Sequence, residues 1–138
     1  MTEPEKPPGK IYRGHSEEQH SAGDRKAIWV EQPNGERYPL PSSGDHQPED
    51  RTWGYGGAGP RYLAQDILAD HLGYAPPRTV AIQYRSAGPA RWEQTRPWKT
   101  TSAELDTFLA HPEIQELMEG WRQDQELQRE LQDLEREH

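Results

Sequence analysis

From Gly59-Pro60 to Gly73 the chain describes a helix with both ends marked in the sequence. Pro60 suits the first helical position, where a missing N–H removes no bond. Leu63, Ala64, Ile67, Leu68, His71 and Leu72 recur at helical spacing and define one apolar face. Arg61, Gln65, Asp66 and Asp70 fall elsewhere, and the last two, one turn apart, read as a solvated carboxylate pair. Gly73 fits the left-handed residue that closes a helix, with Tyr74 placed to fold back on Leu68 or Ala69. Pro76-Pro77 then bars continuation. One central helix of this kind needs a sheet or further helices to cover its apolar face.

The flanking segments read mainly as strands. Lys10–Arg13 is a short strand candidate, followed by a polar loop. Ala27–Glu31 and Arg37–Leu40 flank Pro33-Asn34-Gly35-Glu36, and Asn-Gly between apolar runs predicts a hairpin. Pro39 confines the second of these strands to a sheet edge or to its own end. Over Arg78–Arg85, Val80, Ile82 and Tyr84 alternate with Thr79, Ala81 and Gln83, which predicts a half-buried strand. Arg91–Thr95 is then expected to pair back on it. Thr101-x-x-Glu104 is a capping-box pattern that opens a helix through Leu105, Phe108 and Leu109. His111-Pro112 ends that helix and starts the last one, which runs to about residue 136. The expected fold is α+β: a small antiparallel sheet packed on one central helix, with a long C-terminal helix. Residues 1–10 are expected to be a disordered leader, 11–111 the core domain and 112–138 an acidic helix.

Only 30% of the 138 residues are hydrophobic, too few to pack the chain throughout. Five Trp and six Tyr against one Phe say that the interior is built from amphipathic rings. The absence of cysteine excludes disulfides, thiolate nucleophiles and cysteine-bound zinc. No apolar run approaches about 18 residues, so no spanning helix is expected. The opening Met1–Lys10 lacks the apolar stretch of a signal peptide, and a cytoplasmic protein is the expectation. Net charge is -8, unevenly spread: residues 51–100 hold seven basic and three acidic groups, residues 111–138 three and nine.

The run Trp53-Gly-Tyr-Gly-Gly-Ala-Gly-Pro60, followed by Leu63-Ala64, Ile67-Leu68-Ala69 and Leu72-Gly73, is the most distinctive part of the chain. It resembles a small, functionally uncharacterised domain family of bacteria and their phages that carries W-G-Y-G-G-[S/A]-G-P before an L-A-rich helix. Ile11-Tyr-Arg-Gly14 and Leu40-Pro41 are similar to that family as well, and the resemblance covers roughly residues 11–100. It implies a fold and a phage or mobile-element setting; no catalytic residue carries over. Residues from 112 onward lie outside the pattern.

Two readings of the glycine-rich run stand side by side. Gly56, Gly57 and Gly59, with Arg61 in the following first turn, could place an anion or nucleotide against unpaired helix N–H groups. Equally, the glycines could shape a tight turn that lets Trp53 and Tyr55 pack. The pattern is neither a P-loop nor G-x-G-x-x-G. Arginines interleaved with rings, among them Arg51, Trp53, Tyr84, Arg91, Trp92 and Trp98, suit either single-stranded nucleic acid or an aromatic core. His15, His20, His46, His71, His111 and His138 show no metal-ligand spacing, and Ser16, Ser42 and Ser43 have no base beside them in a nucleophile motif. No catalytic residue, metal or cofactor is expected.

The last helix carries two apolar stripes out of phase. Ile114, Leu117, Met118 and Trp121 are expected to dock on the core, leaving Leu127, Leu131 and Leu134 for another surface. Those leucines, with Glu130, Arg122 and Arg129 around them, form a partner-binding candidate for a groove rimmed by basic residues. A weak homodimeric coiled coil and a solvated, fraying end are the other two readings. The functional expectation is a non-enzymatic, phage-type regulatory protein or inhibitor that binds a host complex. RNA polymerase in transcription and a defence complex are the partners that its charge suits. The alternative is a small protein that sequesters an anion or nucleotide at the glycine-rich turn.

Overall fold

The two strands of the predicted hairpin are joined by a bulged three-residue loop. In the computed structural model, which describes residues 9–14, 28–94 and 96–136, Gln32 and Glu36 close the loop. Gln32 N–H donates to the Glu36 carbonyl at 2.8 Å, and Gly35 adopts φ +89°. That left-handed conformation is open to glycine without steric cost. β2 (Ile28–Glu31) and β3 (Arg37–Pro39) flank the loop, and β1 (Ile11–Gly14) pairs antiparallel with β2. β4 (Trp98–Thr101) pairs antiparallel with the other side of β1, giving the order β3-β2-β1-β4. Pro39 therefore lies on an edge strand, where its missing N–H breaks no ladder.

One sheet face packs on α1 (Ala58–Leu72), which ends at Gly73 with φ +85°. Tyr12, Val30, Leu63, Ile67, Leu68 and Leu105 are fully buried between sheet and helices. Thr101 caps α3 (Ser102–Leu109) by accepting the Glu104 N–H at 3.2 Å, as the capping-box pattern requires. α4 (Pro112–Arg136) follows after two residues, and Ile114 and Met118 complete the core. The observed class is α+β, with four strands and four α-helices among the described residues.

The segment expected to be a strand over 78–85 is instead α2 (Arg78–Ala87), packed along α1. Val80, Ala81 and Tyr84 are buried, a spacing of one and four residues that makes a helical face. The same letters alternate, so local pattern alone fits either period. Pro77 decides the start: its carbonyl accepts the Val80 and Ala81 N–H groups at 3.1 Å. Residues 91–94 accordingly form no hairpin with this segment. Pro89–Arg91 is a single 3-10 turn, and the strand that joins the sheet is β4. The leader also needs correction at its end, since Lys10 is held by a main-chain bond to Ser102 Oγ at 2.9 Å. Residues 1–8, 15–27, 95 and 137–138, among them His15, Ser16, His20, Ala27, Thr95 and His138, lie outside the described residues.

Gly14 and Trp98 are cross-strand neighbours, and the indole lies over the glycine. A Cβ on Gly14 would overlap the ring. Behind it, Trp92 stacks on Trp98 at 4.3 Å and Trp53 meets it edge-on at 5.9 Å. Gly14→Ala is expected to destabilise the fold by about 1–3 kcal/mol through overpacking. Gly120→Ala, in a helix with open space at the Cβ position, should stabilise it by roughly 0.5–1 kcal/mol. Urea unfolding of both variants checks the pair; equal effects would show that the glycine–indole contact does not constrain the sheet.

Candidate functional site

The glycine-rich run is a turn whose glycines have different tasks. Gly54 has φ +96°, and a Cβ there would come within 2.9 Å of the Trp92 carbonyl. At Gly59 a Cβ would overlap the Thr52 hydroxyl, which bonds the Tyr55 hydroxyl at 2.7 Å. Gly57 is the extended residue before α1; its carbonyl accepts the Arg61 N–H and, at 3.3 Å, Arg85 Nη1. Gly56 is exposed, and a Cβ there would meet nothing. The Arg61 guanidinium lies over the Tyr62 ring, 5.0 Å from its centre. A Cβ on Gly57 would press on the Tyr55 ring at 2.9 Å, so three of the four glycines have steric reasons inside the turn. Trp53 is buried with Nε1 donating to the Glu93 carbonyl at 2.9 Å, whereas Tyr55 remains 44% exposed.

Asp66 and Asp70 are not a solvated pair. Asp66 is 1% exposed and faces the loop that precedes the glycine-rich run. The Ser43 main-chain N–H and hydroxyl donate to its Oδ1 at 2.9 and 3.0 Å, and Arg51 Nη1 donates to Oδ2 at 3.2 Å. His46 Nε2 lies 2.9 Å from both oxygens, so this nitrogen carries a proton; the ring stacks on Tyr62 at 4.4 Å. Asp70, one turn later, accepts Lys10 Nζ at 3.2 Å and the Tyr12 hydroxyl at 2.7 Å on one oxygen. Its other oxygen accepts the Tyr38 hydroxyl at 2.7 Å. A recess of about 340 Å³ opens beside both carboxylates, between Ser43, Tyr74 and the end of α1. Serine, carboxylate and imidazole do meet here, yet the carboxylate is in the middle. The imidazole is therefore not placed to take the Ser43 proton.

These contacts shift the groups around them. Burial first, and then the Asp70 carboxylate, push the Tyr12 hydroxyl far above its ordinary range. Burial likewise raises Tyr38, with Asp70 adding and Lys10 opposing. For Lys10 burial acts downward, but the bonds to Tyr38 and Asp70 outweigh it and the ammonium is held more firmly. Burial lowers Arg51, against the pull of Asp66. Among the described residues no group of three or more His, Asp and Glu is arranged to hold a metal.

The second sequence candidate, the distal half of α4, stands clear of the core. Trp121 stacks on Tyr74 at 5.6 Å with nearly parallel rings, a partner for Tyr74 that the sequence reading did not foresee. Past it the helix continues for about 22 Å at 1.5 Å per residue. Leu127, Leu131 and Leu134 are 54, 51 and 55% exposed. At 3.6 residues per turn they share an arc of about 60°. Glu126 and Glu130 border the arc on one side, Asp124 and Glu135 on the other. Arg122, Arg129 and Arg136 recur every seven residues on the opposite side. Arg122 and Glu119 pair at 3.4 Å.

The interleaved arginines and rings do not form one surface. Arg51, Trp53, Tyr84 and Trp98 are buried, and only Tyr55 and the arginines at 78, 91 and 96 of this set are exposed. No helix among the described residues is long and apolar enough to cross a membrane.

The chain belongs to a family of unknown function (DUF6166), whose model matches residues 12–111. The match spans the sheet and the first three helices and ends one residue before α4. No curated protein and no solved structure matches the chain.

Raised tyrosine and lysine values fix a pH response. Above about pH 10 the unfolded chain gives up phenolic protons that Tyr12, Tyr38 and Tyr84 keep when folded. Protons bound by the unfolded state then fall below those of the folded state, so stability falls as pH rises. It is fully present below the unfolded phenol range. Urea midpoints measured from pH 8 to 11.5 should drop steeply above about pH 10. Tyr12→Phe should flatten that drop. Asp66→Ala, which leaves Arg51 buried without its carboxylate, should cost about 3–5 kcal/mol at neutral pH.

Proposed function

We propose that this chain is a binding protein rather than an enzyme, and that it acts by laying the distal half of α4 on a partner. The observation that supports this most is the row of three half-exposed leucines on a helix already anchored by Ile114 and Met118. Isolated apolar side chains on a surface need no explanation, but an aligned row on a projecting helix does. A helix that presents leucines at i, i+4 and i+7 is read by an apolar groove. Carboxylates on both borders favour a groove rimmed by lysine or arginine. They disfavour a second copy of the chain, because a parallel self-pairing would set Glu130 against Glu135 across the seam.

Basic surfaces of that kind are abundant on machines that handle nucleic acid. With the phage and mobile-element setting that the W-G-Y-G-G-A-G-P run implies, this supports a regulator of a host complex. The transcription machinery and a defence complex are the two candidates. The steric uses of Gly54 and Gly59 weigh against the anion-sequestering alternative.

Affinity capture from host lysate tests the reading. The full chain should retain a specific partner, and a chain ending at Gln125 should lose it while keeping its circular dichroism core signal. Leu131→Asp should weaken capture by at least about tenfold, the loss of one central apolar anchor. Unchanged capture by both variants would refute the role of α4.

A further inference from the structure

A second recess lies away from the leucine row, where α2, α3 and β4 meet. It encloses about 180 Å³. Three aromatic rings line it: Tyr84 from α2, Phe108 from α3 and Trp92 from the segment before β4. Tyr84 and Phe108 form a corner, with ring centres 5.1 Å apart and planes tilted by 57°. Trp92 is held flat by its stack on Trp98, which Trp53 supports from the side. Gly88 leaves the gap between them, since a Cβ there would sit 3.2 Å from Trp92 and 3.4 Å from Tyr84.

One carboxylate completes the wall. Glu104, exposed on its outer side, accepts the Thr100 hydroxyl on Oε2 at 3.3 Å and the Thr101 hydroxyl on Oε1 at 3.4 Å, and lines the recess beside the rings. The Tyr84 hydroxyl is pushed up to about 12 by burial, with Thr100 opposing and Glu104 adding, so the ring is a neutral phenol at ordinary pH. Lys99 stands at the mouth on the exposed side of β4. Ring faces carry negative potential, and a cation that has shed its water is drawn to them. A methylated ammonium holds water weakly, fills such a volume and has no N–H groups that need acceptors. An inorganic cation or a bare ammonium would lose hydration that these walls do not replace.

We propose that this recess binds a methylated ammonium group, the head shared by choline, betaine and trimethyl-lysine. The rings are already in place, so little ordering is needed on binding. The inference is independent of α4, because no residue of that helix lines the recess.

Calorimetric titration of the full chain tests it with choline, its neutral isostere 3,3-dimethylbutanol, betaine, and a peptide carrying trimethyl-lysine or unmodified lysine. Choline should bind at least about tenfold more tightly than the isostere, the signature of a cation–ring contact. Phe108→Leu and Glu104→Gln should each weaken choline without shifting the thermal midpoint by more than a few degrees. Lys99→Ala should strengthen choline and weaken betaine, whose carboxylate it would face. Preference for the trimethyl-lysine peptide would place the head on a protein, and preference for choline or betaine on a free small molecule. Equal binding of choline and its isostere, or no heat with any methylated probe at millimolar concentration, would overturn the proposal. So would undiminished choline binding by both Phe108→Leu and Glu104→Gln.

Discussion

Two carboxylates on one side of α1 tie the helix to the polar loop after the hairpin and to the sheet. Asp66 gathers Ser43, His46 and Arg51 from the long loop after the hairpin, and Asp70 gathers Lys10, Tyr12 and Tyr38 from the sheet. Burying a charge costs several kcal/mol unless a counter-charge and hydrogen bonds replace water. Here each carboxylate has both: Arg51 and a protonated imidazole nitrogen for Asp66, Lys10 and two phenols for Asp70. The geometry is demanding, so few alternative packings of the loop satisfy it. Removing either partner would strand a buried charge, so the network ties an otherwise polar loop to α1.

That arrangement sets the rest of the core. With the loop fixed, Leu40 and Trp53 enter the interior at its two ends, and Trp53 reaches the Trp92–Trp98 stack. The centre is mostly aliphatic (Val30, Leu63, Ile67, Leu68, Val80 and Leu105) and not, as composition suggests, built from rings; the rings pack at its flank and need exact space there. Gly14 under Trp98 and Gly88 beside Trp92 supply it where a methyl group would not fit or would crowd. The aromatic recess at α2 and α3 follows from this packing, since the Trp92–Trp98 stack and the Tyr84–Phe108 corner form its walls.

What the sequence disclosed follows from which forces are local. Gly73 ends α1, Thr101 and Glu104 start α3, and Asn34-Gly35 turns the hairpin, each through bonds within a few residues, whereas α1 begins at Ala58, two residues before the Pro60 that the pattern puts first. The α2 segment was not legible, because Val80, Ala81, Ile82 and Tyr84 satisfy both a period of two and a helical face. Contact with α1 chose between them. The four-residue β4 was hidden beside a capping box, although Trp98 and Thr100 alternate with Lys99 in the strand manner. Asp66 and Asp70 were misread as solvated, since the donors that bury them come from sequence-distant Arg51, His46 and Lys10. One signal was available: an isolated glycine ending a strand pattern, Gly14, marks a close approach.

The same separation of local from distant forces bears on α4. Its first half needs no partner, because Ile114 and Met118 are buried and Trp121 is stacked on Tyr74. Its second half packs on nothing else among the described residues, and a helix of that length is marginal in water without packing. Continuity with the docked half removes the nucleation cost, so the distal leucines are presented in register instead of having to fold on contact. Under the proposed role, binding would bury side chains that are already aligned, and less would be lost to ordering than for a disordered tail. Carboxylates on the borders with arginines behind oppose self-pairing at neutral pH, because two copies brought face to face would meet acid with acid.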